Sequence, residues 1–171
     1  MKIISNNIIT IVVLAASALS SWQALAEGGK ISGTAALSYS KQEASPAPSA
    51  AGHMLVFGEL KGVNKNTGSS NYMSDAEATN REIGQLFQGN GPHSGYYTMS
   101  KDGNTSTALW KGDVTTVLAE DGSPRTSFKG TWEYVAGTGK YSEIKGKGNY
   151  SGYFTSKSSY NVEWSGEYSV K

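Results

Sequence analysis

The chain has 171 residues, 15 Lys+Arg against 14 Asp+Glu, 37% hydrophobic residues and no cysteine. That near-neutral balance excludes the basic footprint of a nucleic-acid binder. The missing cysteines exclude disulfides, thiolate metal ligands and a lipoprotein anchor.

The first 26 residues read as a Sec-type signal peptide. Lys2 supplies the positive start, Ile8 to Leu19 an apolar stretch, and Ala24-Leu25-Ala26 a small-x-small cleavage site before Glu27. The apolar stretch falls short of the ~20 residues a membrane span needs. Cleavage near Ala26 leaves 145 residues carrying 14 basic and 14 acidic side chains. The expectation is an exported protein, periplasmic or secreted, with no membrane span. One domain of this size buries ~70% of its unfolded surface and needs no disulfide.

Along the chain, Ile31 to Tyr39 alternates as a small-residue strand. Gln42 to Ala51 is rich in Pro, Ala and Ser and reads as a loose, flexible connection or a detachable N-terminal arm. Residues 27–51 are therefore expected to be an N-terminal strand plus linker, and 52–171 the folded domain. His53 to Leu60 is an apolar strand followed by the turn-rich Asn64 to Gly68, and Tyr72 to Ala78 is a weaker strand. Glu77 to Phe87 is open between a helix weakened by Gly84 and a bent strand. Gly89-Asn90-Gly91-Pro92 is a turn and His93 to Ser100 a strand. Asp102-Gly103 is a hairpin signal between alternating runs. Thr105 to Gly112, Val114 to Leu118 and Thr126 to Val135 follow, then Gly137-Thr138-Gly139, whose glycines suit a turn at positive φ.

From Phe128 onward, aromatics and glycines repeat at a period of two. Phe128, Gly130, Trp132 and Tyr134 are one run; Ile144, Gly146, Gly148, Tyr150, Gly152 and Phe154 the next; Tyr160, Val162, Trp164, Gly166, Tyr168 and Val170 the last. The residues between are mostly polar, so each strand has one apolar and one wet face. Lys129, Lys145 and Lys147 interleave with Glu133, Glu143, Glu163 and Glu167 as outward cross-strand charge pairs. Eight or nine short strands imply an all-β antiparallel sandwich or barrel. Trp110, Phe128, Trp132, Tyr134, Tyr150, Trp164 and Tyr168 are either plain core or the lining of an apolar cavity, with glycines making room.

Gly130-Thr131-Trp132, Gly137-Thr138-Gly139-Lys140-Tyr141 and Ile144-Lys145-Gly146-Lys147-Gly148 resemble the final hairpin of allene oxide cyclase-like and dirigent-like barrels. The resemblance spans roughly Thr126 to Tyr153. It implies an eight-stranded, up-and-down, calycin-like barrel whose interior accepts a small hydrophobic molecule, with homo-oligomers common among such barrels. The cyclases use an interior carboxylate, which no motif here locates; the dirigent-like proteins steer coupling without a cofactor.

Chemistry-bearing constellations are sparse. His53 and His93 have no metal-ligand spacing around them, so no metal or other cofactor is expected. No serine sits in a nucleophile elbow. Glu59 is the best catalytic guess, because both faces of its strand are apolar and coverage on both sides would draw it inward, with a raised pKa. The leading functional expectation is an exported, non-enzymatic barrel binding a small apolar or aromatic ligand. The alternatives are an isomerase or cyclase of the allene oxide cyclase-like type, and a structural or envelope-stress protein with a solid barrel.

Overall fold

The computed structural model describes residues 27–171, so the signal-peptide reading lies outside the described residues. Eight strands follow one another: β1 (Glu27–Pro46), β2 (His53–Asn66), β3 (Glu77–Phe87), β4 (Gly91–Lys101), β5 (Asn104–Leu118), β6 (Pro124–Thr138), β7 (Lys145–Ser156) and β8 (Ser159–Val170). A 3₁₀ turn at Gly139–Tyr141 lies between β6 and β7. Each strand pairs antiparallel with the next, and β1 pairs with β8 to close an up-and-down barrel. The expected all-β, eight-stranded barrel is therefore present, and closure removes every sheet edge.

Two segments differ from the sequence reading, and a third, left open there between helix and strand, is decided. β1 runs through Gln42 to Pro46, paired with β2 from Gln42↔Gly58 to Pro46↔Met54, so only residues 47–52 connect the two. The alternation fades in this stretch, but the pairing supplies its backbone hydrogen bonds. β1 is thus a wall of the barrel and not an appendage to it. Glu77–Phe87 is a strand, with Ala78, Asn80, Glu82, Gly84 and Leu86 inward; two polar residues on the inner face hid its period of two. Tyr72 to Ala76 is a turn with Met73 and Asp75 at φ 47° and 63°.

The wall is built on contacts between aromatic rings and glycines. A Cβ on Gly148 or on its partner Gly166 would lie 2.6 Å from the Trp132 ring. One on Gly95 would lie 2.7 Å from Trp110 and one on Gly152 would overlap Phe128, and at all four glycines a carbonyl oxygen of the adjoining strand lies nearer still. Each ring occupies space that a neighbouring strand leaves open. The Asp102-Gly103 turn carries positive φ at both residues, 51° and 75°, as a two-residue hairpin with matching twist requires.

The end where β2 meets β3 is plugged. Asn64 is fully buried; its Nδ2 donates to the Met73 carbonyl at 2.9 Å and its Oδ1 accepts from Trp164 Nε1 at 2.9 Å. These bonds seat Tyr72 among Tyr134, Tyr141 and Tyr168, with ring centroids 4.5–6.0 Å apart.

The glycine contacts predict a contrast. Gly148→Ala is expected to lose roughly 1–3 kcal/mol, the usual penalty of overpacking. Gly84→Ala, whose Cβ meets nothing closer than Leu86 at 3.6 Å, is expected to lose nothing measurable. Chemical denaturation midpoints of the two variants check this.

Candidate functional site

The other half of the barrel is hollow. A cavity of about 540 Å³ extends from Trp132, Tyr134 and Trp164 toward the end formed by the β3–β4, β5–β6 and β7–β8 turns. Its rim includes Gln42, Gly89, Thr116, Pro124 and Lys157. Six of the seven aromatics singled out in the sequence (Trp110, Phe128, Trp132, Tyr134, Tyr150 and Trp164) face this space. Tyr168 does not; it lies in the plug beside Tyr72 and donates to Glu27 Oε1 at 3.0 Å.

Glu59 is on the outer face. Its Oε2 accepts from Arg81 Nε at 3.0 Å, Lys61 stands 3.7 Å from Oε1, and Ser40 adds a further hydrogen bond. The hydrogen bond from Ser40 and the two cations hold its carboxyl below the usual range. The expectation that Glu59 is drawn inward is corrected by strand parity. His53, Leu55, Phe57 and Glu59 share the outer face of β2, and no described residue covers its centre: Phe57 and its neighbour Ile83 remain about half exposed.

The carboxyl group that does face the cavity is Glu82, on β3. Tyr39 Oη donates to its Oε1, Asn80 Nδ2 donates to its Oε2 at 3.1 Å, and Tyr160 Oη lies 3.5 Å from the same oxygen. Asn80 is itself buried and fully engaged. Its Nδ2 also reaches Tyr160 Oη at 2.7 Å, and its Oδ1 accepts from Trp110 Nε1 at 2.8 Å. Burial raises the Glu82 pKa, and the three hydrogen bonds only partly offset that. Burial and the neighbouring Glu82 carboxyl push the Tyr39 and Tyr160 phenols up as well. Glu82 stands directly across from Gly58 on β2 and Gly95 on β4. A Cβ on Gly58 would meet the Tyr39 ring at 2.5 Å and Glu82 Cγ at 3.1 Å, so this glycine makes room for the pair.

His93 faces the cavity beside this cluster. Its Nε2 lies 3.1 Å from Tyr150 Oη, and its ring packs edge-on against Trp110 at 4.7 Å. Burial lowers its pKa to about 4, against a small opposing effect of Asp113. The imidazole is therefore neutral at pH 7. His53, by contrast, lies on the outer face at the start of β2, with Nδ1 2.6 Å from Ser49 Oγ. Tyr97 presents a buried hydroxyl with no hydrogen-bond partner among the described residues. Among the described residues no cluster of three or more His, Asp or Glu is placed to hold a metal ion, and no helix is long and apolar enough to cross a membrane.

Sequence reasoning missed Tyr39, Asn80, Glu82, Tyr97 and Tyr160 as site residues and left His93 as structural. The usable signal was parity. Once Glu77–Phe87 is a strand, Glu82 shares the inner face with Ala78 and Leu86, just as His93 shares one with Gly95, Tyr97 and Met99.

The closed eight-stranded antiparallel barrel has a dirigent-like β-barrel fold, as comparison with a solved structure shows. The chain is similar to the pterocarpan synthase dirigent protein GePTS1, with a TM-score of 0.50, 12% identity, and coverage of 85% of this chain and 86% of that one. At that identity the likeness is one of fold. No protein-family model and no curated protein matches the sequence.

Burial of His93 sets a pH dependence. Between pH 6.5 and about 4 the unfolded chain binds a proton that the folded protein excludes, so this contribution is full above pH 6.5 and is lost as pH falls toward 4. The loss is up to roughly 3 kcal/mol. Glu82 acts with the opposite sign: its raised pKa favours the fold at low pH, and that contribution fades as pH rises. Comparing denaturation of the wild type and His93→Gln at pH 7 and pH 4.5 isolates the histidine. The wild type is expected to lose more stability than the variant.

Proposed function

We propose that the protein is an exported, non-enzymatic β-barrel that binds a small hydrophobic or aromatic molecule in its interior. The observation that carries this reading is the cavity of about 540 Å³, walled mainly by aromatic rings. That volume falls within the ~300–1,000 Å³ of small-molecule sites, and the mix of apolar wall and a few polar groups is what such sites use. It also argues against a solid barrel. Export is supported by Lys2, the Ile8 to Leu19 stretch and the Ala24-Leu25-Ala26 site, all in the sequence.

A second reading, an isomerase or cyclase of the allene oxide cyclase-like type, is favoured by one observation: Glu82 is a buried carboxyl bonded to two phenols beside the cavity. It requires rearrangement of a lipophilic epoxide faster than in buffer, with the excess lost in Glu82→Gln. No such excess leaves binding as the function.

Titration with the neutral lipophilic fluorophore N-phenyl-1-naphthylamine tests the leading reading. Saturable one-to-one binding is expected, with affinity reduced at least several-fold in Phe128→Ala and Tyr150→Ala and unchanged in Glu59→Gln. Unsaturable binding, or equal affinity in all three variants, counts against it.

A further inference from the structure

We propose that the cavity is built for an organic cation: a compact, largely apolar molecule bearing one protonated amine, received by Glu82. The inference rests on the binding reading above and deepens it.

The first observation is a missing charge. Glu82 is held by three neutral donors, Tyr39, Asn80 and Tyr160, and among the described residues by no cation. The adjacent Arg81 points to the outer face and is paired with Glu59. The groups around Glu82 are phenols from β1, β7 and β8, and His93 and Tyr97 from β4; β2 contributes Val56, Gly58 and Leu60, none of which titrates. Lys157 lies at the rim, in the β7–β8 turn.

The second observation is spare acceptor capacity. A carboxylate offers about four lone-pair directions. Oε2 is shared by Asn80 and Tyr160, whereas Oε1 accepts from Tyr39 alone. A further neutral hydroxyl would only add a fourth donor of a kind already present. An ammonium supplies what the cluster lacks, and its charge holds Glu82 in the ionised form that burial otherwise disfavours. An anionic ligand meets repulsion from Glu82 and finds no counter-charge deep in the cavity.

The third observation is the wall. Trp110, Phe128, Tyr150 and Tyr160 surround the space with aromatic rings, whose faces attract a desolvated cation. A carboxyl group set in an aromatic cage is a recognition pattern for amines and quaternary ammonium groups.

Three isosteres provide the test: 1-naphthylmethylamine, 1-naphthalenemethanol and 1-naphthoate, each titrated calorimetrically into the protein at pH 7 and low salt. The amine is expected to bind at least tenfold tighter than the alcohol, and the carboxylate most weakly. In Glu82→Gln the amine is expected to fall to the level of the alcohol, with the alcohol unchanged. Glu59→Gln, which removes an outer-face carboxyl, should leave the ranking intact. Alcohol or carboxylate binding as tightly as amine, or an amine preference that survives Glu82→Gln, overturns the proposal while leaving the binding reading standing. Failure of all three to bind overturns the binding reading itself. Should Glu82→Gln not fold, the wild-type ranking of the three ligands decides alone.

Discussion

The whole interior depends on aromatic rings lying against glycines of neighbouring strands. Trp132 covers Gly148 and Gly166, Trp110 covers Gly95, and Phe128 covers Gly152, at separations that admit no Cβ. Rings held in this way line the wall instead of crossing the lumen. A side chain at those glycines would meet both the ring and a carbonyl oxygen of the adjoining strand, so neither the strands nor the rings could keep their places. Large hydrophobic area is still buried, so the core remains adequate without disulfides. The hollow is thus a consequence of how the core is packed and not a defect in it.

That wall has unequal ends. Toward the β2–β3 connection, the Tyr72 turn and the Tyr134, Tyr141 and Tyr168 rings close the barrel, fastened by Asn64. Toward the opposite end the strands are joined by short turns that reach only the rim. A blind cavity follows, in which desolvation acts on the ionisable groups that face it. It is the common cause of the neutral His93 and of the raised Glu82 pKa. Such an interior resists charge unless a ligand brings the compensating one.

The strand pattern was legible wherever inner and outer residues differ in polarity. Phe128 to Val170 alternates aromatic or glycine with Lys, Glu, Ser or Asn, and its strands appear where the alternation puts them. The alternation breaks down at the site itself. Asn80 and Glu82 put polar groups on the inner face of β3, while Ile83 and Phe87 put apolar ones outside, so the contrast inverts. On β2 the outer Leu55 and Phe57 made Glu59 look enclosed. Polarity is a proxy for burial only where the inner face is apolar. A polar cluster that faces a cavity violates this condition, and the register that brings Tyr39, Glu82 and Tyr160 together is not written in any one segment.

Two buried asparagines show why the Glu82 cluster is more than a device for holding the fold. The Asn64 side chain bonds to the Met73 carbonyl of the plug, to Asn66 and to Trp164, so only one of its partners borders the cavity. Asn80 bonds instead to side chains that line the cavity: Trp110, Tyr160 and Glu82 itself. Burying a carboxyl costs stability that an apolar residue on β3 would not. The fold lowers that cost with three donors, and with glycines directly across on both neighbouring strands. Apolar packing alone would call for none of these arrangements. Their coincidence at the one cavity-facing carboxyl among the described residues points to a group maintained for what enters the barrel.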